Sequence, residues 1–98
     1  MAKAFWDKGY RLVIFSGRSA STQFETERWL DSHDIKYDML KMRPTHKKWF
    51  PDDILKKEML DRFVDKKSVF LVVDDRQKVV DMWRKEGLTC FQVAEGNF

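Results

Sequence analysis

The chain has 98 residues, of which 43% are hydrophobic and 36% charged, and its net charge at pH 7 is +3. This composition excludes a disordered chain and predicts one small globular, cytoplasmic domain. The longest apolar runs, 12–15 and 69–73, are too short to span a bilayer, and Lys3 and Asp7 interrupt any signal-like segment at the start. Cys90 has no partner for an internal disulfide, so we expect a buried strand thiol and a reducing compartment.

Helix and strand signals alternate from the start of the chain. Helix-forming residues at 2–8 are followed by an apolar stretch at 10–15, which predicts a helix and then a strand. Thr22 and Glu25 have the spacing of a capping box, which predicts a second helix that ends at about His33.

The middle of the chain continues the alternation. A second strand is predicted over 36–42, a basic loop over 43–50, and a helix that Pro51 opens. Apolar residues recur every four positions in this helix, which predicts a buried stripe of Leu55, Met59 and Phe63. We expect Lys56 to lie on a flank of that stripe, where its side chain can reach over a site.

The last third of the chain predicts a strand at 69–73, a helix from Asp75 to Gly87, and a final strand at 89–93. The buried residues expected in this helix are Val79, Met82 and Trp83. Because strands and helices alternate throughout, the sequence predicts an α/β fold whose mostly parallel sheet has about four strands, with helices on both faces.

Two adjacent carboxylates, Asp74 and Asp75, stand where the strand 69–73 ends. By itself the pair favours a helix start, since Asp is a good N-cap and a second acid suits the helix dipole. The alternative is a metal or phosphoryl site, because ligands of open α/β sheets bind beyond the carboxyl ends of the strands. Polar residues follow all four predicted strands there, namely Ser16, Arg18, Arg43, Asp74, Asp75, Arg76 and Glu95, the last with Gly96 beside it. This convergence favours a phosphate and cation site.

Basic and aromatic residues crowd the centre of the sequence. They are Arg43, His46, Lys47, Lys48, Trp49, Phe50, Lys56 and Lys57. Such a mixture can bind a phosphate backbone through its cations and stack on bases through its aromatic rings. The simpler interpretation is a solvated face with buried aromatic residues. Neither His33 nor His46 has a cysteine or second histidine at ligand spacing, so neither is predicted to bind a metal.

Three stretches of the sequence resemble the later motifs of the haloacid dehalogenase (HAD) superfamily, in order and in spacing. They are GYRLVIFSGR, DDILKKEM and DDRQKVVDMWRKEGLTCFQVAEGNF. The similarity is closer to the phosphatase domain of the bacteriophage polynucleotide kinase–phosphatase, and it is loosest over 19–50. The resemblance implies a HAD-like, Rossmann-type three-layer fold and hydrolysis of phosphomonoesters at nucleic-acid 3′ ends in the cytoplasm of a phage-infected host.

The resemblance also implies roles for residues at matching positions. Ser16 matches the phosphoryl-binding hydroxyl, and Lys56 matches the lysine that neutralises charge on the nucleophile and phosphoryl group. Asp75, with Asp74 beside it, matches the acidic pair that holds Mg²⁺, which prefers such hard oxygen ligands. The further residues implied in binding substrate phosphates are Gly17, Arg18, Arg43 and Arg76.

The sequence departs from the family where the family's chemistry begins. The nucleophile and the general acid lie in a DxDGT motif at the end of the family's first strand, and no Asp-x-Asp occurs in these 98 residues. We therefore expect that the central first strand is missing and that the chain alone hydrolyses no phosphate ester. Without that strand, two neighbouring strands would have unpaired edges, so we expect that 12–15 re-pair with 69–73 or that the chain self-associates.

Three interpretations of the function follow from this departure. The chain is a split half of a polynucleotide 3′-phosphatase that needs a complementing chain with DxDGT. Alternatively, it is a catalytically inactive protein that binds a nucleic-acid end, a nucleotide or a protein, with inhibition as one role of such binding. The third interpretation is a structural remnant with no retained site.

Overall fold

The computed structural model describes residues 2–94 and divides the chain into two compact units, Met1–Trp49 and Phe50–Phe98. Helices alternate with strands in both units, and both strand pairs are parallel. The predicted α/β class with parallel strands is therefore confirmed, and residues 2–94 contain four strands in two pairs. Glu95 and Gly96, which were predicted to follow the last strand, lie outside the described residues.

The first unit contains two helices and two paired strands. In chain order they are α1 (Ala2–Asp7), β1 (Val13–Ser19), α2 (Gln23–Ser32) and β2 (Met39–Arg43), with 3₁₀ turns at Ala20–Thr22 and Thr45–Lys47. Leu30 of α2 and Met42 of β2 are its buried apolar residues. The chain leaves α1 through Gly9, whose φ of +92° lies in the left-handed region that glycine adopts without strain.

Strand β1 begins and ends later than the sequence predicted. It pairs with β2 from Val13, opposite Met39, to Ser16, opposite Met42, and pairing resumes at Ser19 opposite Arg43. The residues between, Gly17 and Arg18, are left out of the register, as in a β-bulge. The predicted end at residue 15 was wrong because the serines and glycine that signalled a turn belong to an irregular continuation of the strand.

The predicted capping box at the start of α2 is wrong. Thr22 makes no side-chain capping bond, and its Oγ1 instead donates to the Ser19 carbonyl at 2.9 Å. Ser19 caps the preceding 3₁₀ turn, since its Oγ accepts from the Ser21 amide at 3.2 Å. The side-chain cap therefore belongs to the turn that precedes α2, while Thr22 occupies the N-cap position of α2 without such a bond.

The second unit repeats the same alternation. Its elements are α3 (Asp52–Phe63), β3 (Val72–Asp74), α4 (Gln77–Lys85) and β4 (Cys90–Gln92), with a 3₁₀ turn at Lys66–Ser68. Strands β3 and β4 are parallel and in register, with Val72 opposite Cys90 and Asp74 opposite Gln92.

The core of the second unit lies where α3 packs against α4. Its apolar residues are Leu55, Met59, Leu60, Val79, Val80, Met82 and Trp83. The three buried residues predicted for α4 are confirmed, whereas Phe63 of the predicted α3 stripe is 37% exposed. Leu60 is buried instead, so the buried apolar residues near the end of α3 are Met59 and Leu60.

Cys90 has the buried thiol that the sequence predicted. Burial, together with the nearby charge of Asp74, raises the pKa of this thiol above its ordinary value of 9.0, although Arg84 partly opposes the shift. The thiol is therefore protonated at neutral pH, and Cys90 acts as a small apolar residue of the core.

The strands form two separate two-stranded sheets. In the described residues β1 pairs with β2 and β3 pairs with β4, each pair within one unit, and the expected re-pairing of 12–15 with 69–73 stays a prediction. Self-association, the other expectation for the open strands, stays a prediction. No helix among residues 2–94 has the length and apolar character needed to cross a membrane.

Replacing Leu55, which is 1% exposed, with alanine should lower the free energy of unfolding by about 3 kcal/mol, because the change removes buried methyl groups and leaves a cavity. The matched control is Ile54→Ala, since Ile54 is exposed on the same helix and should cost no more than about 0.5 kcal/mol. Urea unfolding followed by circular dichroism measures both. Equal losses for the two variants would contradict the placement of the core.

Candidate functional site

In the first unit the bulge of β1 presents a hydroxyl and a guanidinium group to solvent. The Ser16 Oγ accepts a hydrogen bond from the Arg18 amide at 3.1 Å, which leaves the hydroxyl proton available for donation. Arg18 is exposed, and its guanidinium makes no ion pair with any residue in 2–94. Both groups are donors of the kind from which phosphate oxygens accept hydrogen bonds.

Arg43 holds the bulge in place from the end of β2. Its Nε donates to the Gly17 carbonyl at 2.7 Å, and its Nη1 donates to the Lys47 carbonyl at 3.0 Å. One half-buried guanidinium thus ties the bulge to the 3₁₀ turn Thr45–Lys47. The sequence predicted Arg43 only as a phosphate clamp and missed this positioning contact, because it joins residues far apart in the chain.

In the second unit Lys56 belongs to a buried cluster of charges. Its Nζ lies 3.4 Å from an Oδ2 of each of two acids, Asp52 and Asp74. Arg76 joins the cluster through its Nη1, which is 3.7 Å from the Asp52 Oδ2. The negative charges of two acids are therefore balanced by the positive charges of two bases, and this pairing offsets the large cost of removing such charges from water.

The burial of Lys56 corrects the expectation that it lies on an open flank of α3. The residue is only 9% exposed. Asp52 precedes it by one helical turn, a spacing from which the sequence could have revealed the pair. Asp74 comes from a different element, so only the fold shows that it is the second partner.

The Asp74 carboxylate accepts hydrogen bonds from three described donors. Its Oδ1 accepts from the Asp75 amide at 2.8 Å, and its Oδ2 accepts from the Trp83 Nε1 at 3.1 Å and the Lys56 Nζ at 3.4 Å. This carboxylate is therefore turned into the unit and joins β3 to both of its helices.

Asp75 has the opposite environment. Its main chain is held on both sides, since its amide donates to Asp74 and its carbonyl accepts from the Gln92 Nε2 at 3.1 Å. Its side chain is exposed, and the carboxylate has no partner among residues 2–94. Helix α4 has Arg76 as its N-cap residue and no side-chain capping bond, so the interpretation of Asp75 as an N-cap is wrong.

The described residues contain no group of three or more acidic, histidine or cysteine side chains that could enclose a metal ion. Mg²⁺ does not need such a cage, because proteins usually hold it with one or two carboxylates, waters and substrate phosphates. The exposed carboxylate of Asp75 fits that mode. The carboxylate of Asp74 fits it less well, because it already accepts from three donors.

The predicted site residues fall into two groups, one in each unit. Ser16, Gly17, Arg18 and Arg43 are brought together around the bulge, and Lys56, Asp74 and Arg76 are brought together around Asp52. Asp52 is the member of the second group that the sequence did not predict as a site residue.

Over residues 1–98 the sequence matches the family described as the polynucleotide kinase PNKP phosphatase domain. The chain belongs to this family. It is 41% identical to a chain in a solved structure of the Pnkp1/Rnl/Hen1 RNA repair complex, with a TM-score of 0.91 over 99% of its residues. A second structure of that complex gives the same identity and TM-score. The match confirms the HAD-like phosphatase-domain fold.

This member of the polynucleotide kinase phosphatase-domain family spans about one-third of the solved chains, namely 32% and 34% of their lengths. The resemblance that the three sequence stretches indicated is thus confirmed at the level of the family. A bacteriophage origin stays a prediction.

Replacing Lys56 with methionine should lower the free energy of unfolding by about 3 kcal/mol, because Asp52 and Asp74 would lose their shared cation in a buried place. Lys57→Met is the matched control, since this neighbouring lysine is exposed and its replacement should cost far less than that of Lys56. Urea unfolding measures both, and Asp74→Asn should restore part of the loss in the Lys56→Met background. Equal losses for the two lysine variants would show that the cluster is not a buried ion-pair network.

Proposed function

We propose that this chain is the phosphate-binding part of a polynucleotide 3′-phosphatase and that its natural ligand is the 3′-phosphorylated end of an RNA strand. The observation that carries the proposal is the bulge of β1, where the Ser16 hydroxyl and the Arg18 guanidinium are both open to a ligand. RNA is the chosen polymer because the solved relatives come from an RNA repair complex.

The bulge supplies the donors that a phosphate monoester needs. The Ser16 hydroxyl donates to one phosphate oxygen, and the planar fork of Arg18 donates to others and offsets their charge. Arg43 acts as a positioning residue, since its bond to the Gly17 carbonyl fixes the main chain between these two donors. A bulge that is held before the ligand arrives costs less free energy to order on binding.

Lys56 is proposed to neutralise charge on the phosphoryl group, as the family resemblance implies. Asp52 and Asp74 both contact its ammonium group, and these two contacts restrict the rotamers of the side chain. Arg76 is proposed to bind a substrate phosphate. Its guanidinium is held near Asp52, so its direction is also restricted.

Asp75 is proposed as the Mg²⁺ ligand of this chain. Its main chain is fixed through Asp74 and Gln92, while its carboxylate is left open to solvent. When bound, Mg²⁺ would supply positive charge against the phosphate oxygens. In this proposal Asp74 orients Asp75 and does not itself hold the ion.

The nucleophile is proposed to come from outside these 98 residues. The family's route begins with attack by the first aspartate of DxDGT, and the sequence contains no Asp-x-Asp. A further segment or a complementing chain would have to provide that aspartate. The retained bulge without a nucleophile also favours a second candidate function, in which the chain binds phosphorylated ends and does not cleave them.

The experiment measures binding of two single-stranded RNAs that differ only in a 3′ phosphate, by fluorescence anisotropy with Mg²⁺. The phosphorylated RNA should bind about tenfold more tightly, since a charge-assisted hydrogen bond contributes about 1.5–3 kcal/mol. Ser16→Ala and Arg18→Ala should each remove most of this preference. Arg28→Ala, which changes an exposed arginine of α2, is the matched control and should leave the preference unchanged.

Phosphate release from the same RNA distinguishes binding from catalysis. The chain alone should release no phosphate above the background rate. Release that Asp75→Asn abolishes would mean that these residues contain a nucleophile and would overturn that part of the proposal. Equal affinity for the two RNAs would overturn the phosphate-binding part.

A further inference from the structure

Residues 45–49 form a basic turn that ends in an unusually exposed tryptophan. Trp49 is 84% exposed, the largest value among the described large hydrophobic residues, whereas Trp83 in the second unit is buried. An indole ring left in water contributes nothing to the core, although such a ring offers a broad surface for stacking. The basic turn is the motif that the function proposed above does not use.

The basic turn also places positive charge against the indole ring. The Lys48 Nζ lies 5.0 Å from the centroid of the Trp49 ring, within the range of a cation–π contact. This contact restricts both side chains and keeps an ammonium group beside the ring. His46 is exposed in the same turn, so the turn offers polar side chains to solvent and is unlike an apolar docking patch.

Arg43 connects the basic turn to the bulge of β1 within the first unit. Its guanidinium donates to the Lys47 carbonyl at 3.0 Å and to the Gly17 carbonyl at 2.7 Å. The turn is closed by a further bond from the Lys47 amide to the Pro44 carbonyl at 2.9 Å. The stacking surface is therefore attached to the main chain that carries Ser16 and Arg18.

We propose that the basic turn is a binding site for single-stranded nucleic acid, in which a base stacks on Trp49 and Lys48 contacts the adjoining backbone phosphate. Stacking on an exposed aromatic ring is tolerant of sequence, and a neighbouring cation suits the phosphate that follows each base. A duplex hides the faces of its bases, so the site selects unpaired strands.

This site deepens the proposed function, because it extends recognition from the terminal phosphate to the strand that carries it. The direction of the strand, with its 3′ end at the bulge, rests on the proposed function. The stacking contact does not rest on it, since it depends only on Trp49 and Lys48.

The test uses the same two RNAs, with and without a 3′ phosphate, and a duplex of the same sequence. Trp49→Ala should weaken binding of both single strands by about tenfold, while Trp49→Phe should retain most of the affinity. Trp29→Ala is the matched control, because Trp29 is also an exposed tryptophan of the first unit and should leave the affinity unchanged. The urea midpoints of the variants confirm that each is folded.

Salt dependence tests the role of Lys48 separately. Lys48→Gln should reduce the slope of log affinity against log salt by about 0.7, the value for one phosphate contact on a single strand. Lys36→Gln, at an exposed lysine of the same unit, should leave the slope unchanged.

The outcomes separate this inference from the proposed function. If Trp49→Ala leaves the affinity within twofold of the unchanged protein while Arg18→Ala removes the phosphate preference, the stacking site is overturned and the proposed function stands. If Trp49→Ala weakens both RNAs although neither is preferred, the stacking site stands and the proposed function is overturned. Equal binding of duplex and single strand would also overturn the stacking site.

Discussion

The carboxylate of Asp74 is the contact on which the arrangement of the second unit depends. It accepts from Lys56 of α3, from Trp83 of α4 and from the amide of Asp75, so one side chain joins three parts of the unit. A buried carboxylate is costly unless such donors surround it, which makes their arrangement specific. The same bonds direct Asp75 outwards. The carboxylate of Asp75 is thus exposed because the hydrogen bonds of Asp74 hold the main chain beside it.

Arg43 has the corresponding part in the first unit. It donates to two carbonyls, one in the bulge of β1 and one in the basic turn. Neither carbonyl belongs to a residue whose side chain is proposed to bind the ligand. In both units, therefore, a charged side chain that is turned towards the protein fixes the main chain, and an adjacent side chain such as Arg18 or Asp75 is left free for a ligand. This arrangement agrees with the rule that a binding site is precise when surrounding residues hold its main chain and side chains in place.

Much of the fold could be predicted from the sequence, because the alternation of apolar runs and helix signals is local. The buried face of α4 followed from its periodicity. The bulge could not be predicted, since Ser16-Gly17-Arg18 has the composition of a turn and only the pairing with β2 shows that the strand continues. For the site, the family resemblance supplied the residue types. The burial of Lys56 and the main-chain contacts of Arg43 depend on partners distant in sequence, which no local pattern reveals.

Nuclear magnetic resonance of the amide groups tests the central claim most directly, namely that the bulge binds the terminal phosphate. The chain is titrated with each of the two single-stranded RNAs, and the shift changes caused by the 3′ hydroxyl strand are subtracted from those caused by the 3′ phosphate strand. If the bulge binds the phosphate, the largest differences fall on the amides of Ser16, Gly17 and Arg18. Differences that are absent from these three amides and concentrated elsewhere would contradict this claim.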